Sequence, residues 1–225
     1  MTVELVLLRH GESLWNAEDR YQGQQGTGLS PLGHEQAKFA ADYLSSTPFD
    51  AIVASDLQRV TETLRPYLDA TSPPPGTGTT STGRVPLVRI DPRWREIDVG
   101  TWGGRTFTEV LAEEPEVVAA FARGEDVARG GGETFAQLRT RVWEAVQEIA
   151  ASGARRVLVG THGGPIRVAA ASALRLPAGD QVLLDPPGNC SLTILRVDER
   201  LTASSLAAYN TPTSVLTTSS EEQPA

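Results

Sequence analysis

The sequence predicts an α/β fold, a three-layer sandwich whose mostly parallel central sheet is flanked by helices on both faces. Three observations carry this expectation. Short apolar runs that read as buried strands alternate along the chain with longer segments of helical periodicity. Three of those runs end in corners rich in capping and turn residues: Arg9-His10-Gly11-Glu12, Ser55-Asp56 and Thr161-His162-Gly163-Gly164. The chain of 225 residues, 40% of them hydrophobic, is also long enough to bury one substantial core.

Residues 3–8, Val-Glu-Leu-Val-Leu-Leu, form the first expected strand, followed by a polar, glycine-bearing loop over 14–29. Ser30 then supplies an N-cap and Pro31 a first-turn residue for a helix ending near Ser45 or Ser46, with Leu32, Phe39, Ala40, Tyr43 and Leu44 assigned to its apolar face. Residues 51–54 are a second buried strand. Ser55 and Asp56 cap the next helix, whose apolar face carries Leu57, Val60, Leu64 and Leu68. Residues 71–84, rich in proline, glycine and threonine, read as a mobile surface loop too short for an interdomain linker.

A strand is expected at 88–90, then an irregular region with short helices to about residue 125. Phe135, Leu138, Val142, Ala145 and Ile149 recur at helical spacing, and that helix should stop near Ser152-Gly153. Residues 156–160 form another buried strand, with Pro165 placed to open the helix beyond it. Strands over 191–197 and 203–209 complete a single domain spanning 1–210. Residues 211–225, mostly Thr, Ser, Glu and Pro, have little to bury and are expected to be a disordered tail.

The formal net charge of −8 argues against nonspecific nucleic-acid or membrane binding, because an acidic surface repels polyanions. No apolar run is long enough for a membrane helix and no secretion signal is visible, so a cytoplasmic protein is expected. Oligomeric state is not legible, and a homodimer is compatible with the sequence. Nineteen of the twenty basic residues are arginine, Lys38 being the exception. The chain is also rich in alanine, glycine and proline, so arginine placement counts and abundance does not.

At the first corner Arg9 offers a permanently charged fork suited to phosphate oxygens, and His10 a side chain that is nucleophilic near neutral pH. Gly11 lets the backbone approach a ligand closely. A lone histidine at a strand end is more often structural, but this grouping reads as a phosphate-handling site. His162 repeats the geometry at a later strand end, and Arg59 stands near a helix N-terminus, where anions are welcome. In open α/β sheets such carboxyl ends gather at one edge, so these three residues are expected to converge. His34 reads as surface, Cys190 as a small part-buried residue, and Glu96, taken alone, as a surface carboxylate. His10, His162 and Glu96 or Asp98 form a conceivable metal triad, against which adjacent Arg9 argues.

The chain resembles the histidine phosphatase superfamily, the phosphoglycerate-mutase-like proteins, from about residue 3 to 209. The matching blocks are Leu8-Arg9-His10-Gly11-Glu12-Ser13 with Trp15-Asn16, Tyr21-Gln22-Gly23, Leu29-Ser30 with Gly33, Ser55-Asp56-Leu57-Gln58-Arg59, Arg95-Glu96-Ile97-Asp98-Val99-Gly100 with Trp102, and Thr161-His162-Gly163-Gly164. The resemblance implies that His10 becomes a phosphohistidine, and that Arg9, Arg59 and His162 bind the phosphoryl oxygens with help from Asn16. It also implies that the backbone at Gly11, Gly23 and Gly163 adjoins the substrate. Glu96 takes the position that protonates the departing alkoxide and then activates water, and a bound phosphate dianion would favour its protonated form. Arg9 beside His10 disfavours the imidazolium. The resemblance implies no metal or organic cofactor, and a small phosphorylated metabolite as substrate.

Phosphatases and phosphomutases share this set. Mutases of the glycolytic type resemble one another in carrying a lysine and an arginine pair soon after the acid, whereas residues 100–106 here hold only Arg105. The Gly131-Gly132-Glu133-Thr134 segment also resembles the phosphatase branch. A phosphomonoesterase is therefore expected, although Arg105, Arg123 or Arg129 could supply a missing anchor. A mutase is the alternative within the family, and a noncatalytic phosphate-binding module the alternative outside enzymes. Gly26 and Gly103 depart from residues common in relatives, aspartate and glutamate, without touching the phosphate clamp.

Overall fold

In the computed structural model, which describes residues 1–71, 87–200 and 204–214, a six-stranded sheet carries helices on both faces. The strands are β1 (Thr2–Arg9), β2 (Ala51–Ala54), β3 (Val88–Ile90), β4 (Arg156–Thr161), β5 (Ser191–Asp198) and β6 (Ser204–Pro212), in the order β3-β2-β4-β1-β5-β6. Pairings among β3, β2, β4 and β1 are parallel, and β5 and β6 add antiparallel strands. Helices α1 (Leu14–Ala17), α2 (Pro31–Leu44), α3 (Gln58–Thr71), α4 (Phe107–Glu113), α5 (Pro115–Ala122), α6 (Phe135–Ala151) and α7 (Gly163–Ala173) complete the chain with short 3₁₀ turns.

Alternation along β1 explains the two cores. Val3, Leu5 and Leu7 join the apolar face of α6 (Leu138, Val142, Ala145, Val146, Ile149) and α7, whereas Val6 and Leu8 pack with Ala40, Leu44, Val60 and Leu64 of α2 and α3. Burial of each such leucine contributes roughly 1.5–3 kcal/mol. Helix starts follow the local chemistry read from the sequence. The Ser30 side chain accepts the Gly33 N–H, and Thr134 forms a capping box with Gln137.

Some expectations are corrected. The buried face of α2 is Gly33, Gln36, Ala37, Ala40, Ala41 and Leu44, while Phe39 and Tyr43 are exposed. Small residues are selected there because the helix lies close on the loop after β1: a Cβ on Gly33 would come within 2.0 Å of the Glu12 carbonyl oxygen. Helix α7 begins at Gly163 with His162 as N-cap, two residues before Pro165, whose missing N–H costs nothing in a first turn. Thr211 and Pro212, assigned to the tail, extend edge strand β6 against Leu192 and Ser191, a place where proline is tolerated. The tail beyond Ser214 and the loop expected over 71–84, apart from Thr71 at the end of α3, lie outside the described residues.

Candidate active site

Strands β1, β4 and β2 lie side by side, and their carboxyl ends bring His10, His162 and Ser55 to one edge. Backbone hydrogen bonds fasten the corners: His10 N–H donates to Thr161 O and Ser55 N–H to Gly160 O, each at 3.0 Å. Arg59, in the first turn of α3, donates from Nε to His162 Nδ1 at 3.2 Å, and the His10 and His162 rings are 5.1 Å apart between centroids. The expected convergence is present. A cavity of about 100 Å³ opens at this point, with Arg9, His10, Asn16, Gly23, Arg59, Glu96 and Gly163 among its walls.

Hydrogen-bond partners fix the tautomers. His10 Nδ1 lies 2.7 Å from the Gly11 carbonyl oxygen, which can only accept, so Nδ1 carries the proton and the Nε2 lone pair is free. His162 is the reverse: Nδ1 accepts from Arg59, so Nε2 donates to Ser55 Oγ at 2.9 Å. Burial holds both imidazoles well below their ordinary pKa of 6.5; Arg59 and Arg9 reinforce this at His10, and Arg59, His10 and Arg9 do so at His162. Both rings are therefore neutral near pH 7. His162 does not line the cavity, and protein groups engage both its nitrogens, so it supports Arg59 instead of presenting a nitrogen of its own.

Arg59 is 2% exposed and donates from Nη1 to Gln25 O at 2.8 Å and from Nη2 to Gly23 O at 2.7 Å. Burial lowers its pKa to about 10, which leaves it cationic at neutral pH. Arg9 Nη1 donates to Pro187 O, whereas its buried Nε has no protein partner. Asn16 ties its Oδ1 to the Ser13 N–H and hydroxyl, leaving the amide NH₂ as the end it can offer a ligand. Glu96 reaches across to α7, where its carboxylate accepts the Gly164 N–H at 3.1 Å through Oε1, as an anion does at a helix N-terminus.

Gly11 has a different task from the one expected of it. It does not line the cavity; a Cβ there would meet the Gly33 carbonyl oxygen at 2.7 Å, so its missing side chain admits α2 and not a ligand. Its carbonyl orients His10, and its N–H donates to Thr63 Oγ1 at 2.9 Å. Asp98 turns away to accept the Gly100 N–H, and among the described residues no three His, Cys, Asp or Glu side chains gather as metal ligands.

The chain matches the profile of the histidine phosphatase superfamily (branch 1) over residues 5–209. It belongs to that superfamily. Similar relatives include the glucosyl-3-phosphoglycerate phosphatase of Mycolicibacterium vanbaalenii, 36% identical over 195 residues that cover 83% of this chain and 81% of the relative. The metal-independent phosphoserine phosphatase of Arabidopsis thaliana is 35% identical over 73% of this chain and 66% of its own length. Among solved structures, mycobacterial glucosyl-3-phosphoglycerate phosphatase in complex with VO₃ superposes with a TM-score of 0.80 at 32% identity, covering 93% of this chain and 99% of that one.

In this histidine phosphatase, sequence reasoning missed several residues around the site. Arg167 lines the cavity from α7, four residues after Gly163 and on the same helical face. The signal was available: a lone arginine in the run Pro165-Ile166-Arg167-Val168-Ala169-Ala170 sits where every neighbour is buried. Asn189 Nδ2 donates to His10 O at 3.0 Å and positions that residue, with no local pattern to announce it. Of the three arginines offered as a second anchor, Arg129 reaches the cavity, while Arg105 and Arg123 pair with Glu113 and Glu125. Among the described residues no helix is long and apolar enough to cross a membrane.

Proposed function

We propose that the chain is a phosphomonoesterase acting on a small phosphorylated metabolite through a phosphohistidine at His10 Nε2. The observation that carries this reading is the free Nε2 lone pair of a neutral imidazole held in a cationic cavity that also contains Glu96. In the first half-reaction Nε2 forms a bond to phosphorus as the ester P–O bond breaks, and the Glu96 carboxyl passes its proton to the departing alkoxide. The Nδ1–H to Gly11 O bond stabilises the positive charge that develops on the ring. In the second, the Glu96 carboxylate takes a proton from water, the water oxygen bonds to phosphorus, and the N–P bond breaks to regenerate neutral His10. Arg9 and Arg59, with Asn16 and the backbone at Gly23 and Gly163, hold the equatorial oxygens and offset their charge, as phosphoryl transfer chiefly requires.

A mutase shares the first half-reaction and returns the phosphoryl group to substrate; the phosphatases among the similar relatives support hydrolysis. The test is release of free phosphate from an aryl phosphate by the wild type and by His10→Ala, with phosphoprotein quenched in alkaline denaturant followed in parallel. Turnover and an acid-labile label that both disappear in His10→Ala are expected. Equal turnover in that variant overturns the nucleophile assignment, label without phosphate release points to a mutase, and neither label nor turnover in the wild type points to a binder.

A further inference from the structure

Two neighbours on edge strand β6 act on the cavity from outside it. Strand β5 pairs Leu192 with Thr211 and Ile194 with Ala208, so Tyr209 and Asn210 together oppose the single residue Thr193, and this bulge carries Asn210 at a left-handed φ of 51°. In a regular strand their side chains would point to opposite faces. Here both grip one segment, residues 185–188. The Tyr209 hydroxyl donates to Asp185 O at 2.5 Å, and Asn210 Oδ1 accepts the Gly188 N–H at 2.7 Å. Between those two holds lie Pro186, which lines the cavity, and Pro187, whose carbonyl oxygen accepts from Arg9 Nη1. Neither proline has an N–H with which to fasten itself, and the segment belongs to no helix or strand. Its position therefore depends on groups that reach it from elsewhere.

A planar guanidinium held at one nitrogen has the direction of its others set. The buried Arg9 Nε, which has no protein partner, stands beside the cavity residue Gly163, where a Cβ would lie 3.8 Å from it. His10 is fastened separately: Asn189 Nδ2 and the Cys190 N–H donate to its carbonyl, and Cys190 O accepts the Thr213 hydroxyl at 2.7 Å. We propose that Tyr209 and Asn210 are positioning residues that act through Arg9: by holding residues 185–188 they place the Pro187 carbonyl, which aims the Arg9 fork at the phosphoryl oxygens. This rests on the phosphomonoesterase reading above. A fork aimed in advance meets the reacting group without reorienting, whereas one released from Pro187 must be ordered again at each turnover.

The experiment measures kcat and KM for an aryl phosphate, and calorimetric Kd for orthovanadate, in the wild type, Tyr209→Phe, Asn210→Gly and Asn210→Asp. Tyr209→Phe keeps the ring. Asn210→Gly removes the acceptor while glycine takes the left-handed φ without strain, and Asn210→Asp retains Oδ1. Tyr209→Phe and Asn210→Gly should each lower kcat and weaken vanadate binding by about threefold to tenfold, the scale of one hydrogen bond, with Asn210→Asp within about twofold of the wild type. In an Arg9→Lys background, which has no fork to aim, the same two substitutions should cost less than about twofold. Wild-type kcat and vanadate affinity in both, an equal loss in Asn210→Asp, or an undiminished loss in the Arg9→Lys background overturns the proposal. If the wild type hydrolyses no aryl phosphate, the phosphatase reading fails separately, and the vanadate affinities decide the positioning role by the same criteria. Absence of vanadate binding to the wild type overturns it as well.

Discussion

Arg141 Nη2 donates to the backbone carbonyl of Glu96 at 2.8 Å, so the long helix α6 holds in place the loop that carries this residue, the proposed acid. The same guanidinium donates to Arg93 O at 2.7 Å and Arg95 O at 2.8 Å, and forks onto Glu133 through Nε and Nη2. One side chain thus ties the carbonyls of residues 93, 95 and 96 to a rigid element.

Replacing Arg141 by leucine should therefore lower kcat by about tenfold to a hundredfold, the scale of a misplaced catalytic group, while KM changes little. Arg141→Lys keeps the charge and loses the fork, so it should not rescue the rate. Steady-state kinetics on an aryl phosphate check both. A wild-type kcat in Arg141→Leu would refute the positioning role.

Ser55→Ala removes the acceptor for the buried Nε2–H of His162. An unpaired buried donor predicts a loss of about 1–3 kcal/mol in urea denaturation, with turnover falling because His162 no longer orients Arg59. Ser55→Thr keeps the hydroxyl and should recover most of the turnover. No loss in either measurement would contradict the assigned tautomer.

Gly33→Ala places a Cβ 2.0 Å from the Glu12 carbonyl oxygen and 2.9 Å from its carbon, both backbone atoms with nowhere to retreat. Destabilisation of about 1–3 kcal/mol is expected, together with lost activity, because the displaced loop carries His10. Gly153→Ala, whose Cβ would meet nothing within 4 Å, is the comparison for activity, since it stands on the α6–β4 connection away from the cavity. Similar turnover in Gly33→Ala and Gly153→Ala would argue against the coupling.

Burial keeps His10 and His162 neutral in the fold, whereas each takes up a proton in the unfolded chain as pH falls through about 6.5. The unfolded state then binds more protons, so stability is complete above that pH and declines below it. The decline approaches about 1.4 kcal/mol per pH unit for each ring. Denaturant midpoints at pH 7.5, 6.5 and 5.5 should fall in that order, less steeply in His162→Ala. A midpoint that stays constant or rises on acidification would exclude neutral buried rings.

The strand-to-helix corners were legible because short apolar runs, capping residues and proline placement act locally; β1, β2, β3 and β4 and the starts of α2 and α6 follow from them. His10, Arg59 and Glu96 were legible through their flanking motifs, and all three line the cavity. The face of α2 was misread because periodicity weighs Phe39 and Tyr43 above alanines, while close approach at Gly33 selects small residues. Arg141 and Asn189 escaped notice because they act on backbone carbonyls distant in the chain, a relationship without spacing or composition to mark it. Gly11 was misassigned for a related reason, since the partner needing its small size is another backbone.

Arg59 is anchored to Gly23, Gln25 and His162 before any phosphate arrives, so it cannot follow a ligand. It behaves as part of a frozen solvent shell, whose orientation was settled when the chain folded, and charge growing on the reacting oxygens meets a field that need not reorient. Such a centre responds to substrates through their fit to stationary charge, not through closure around them.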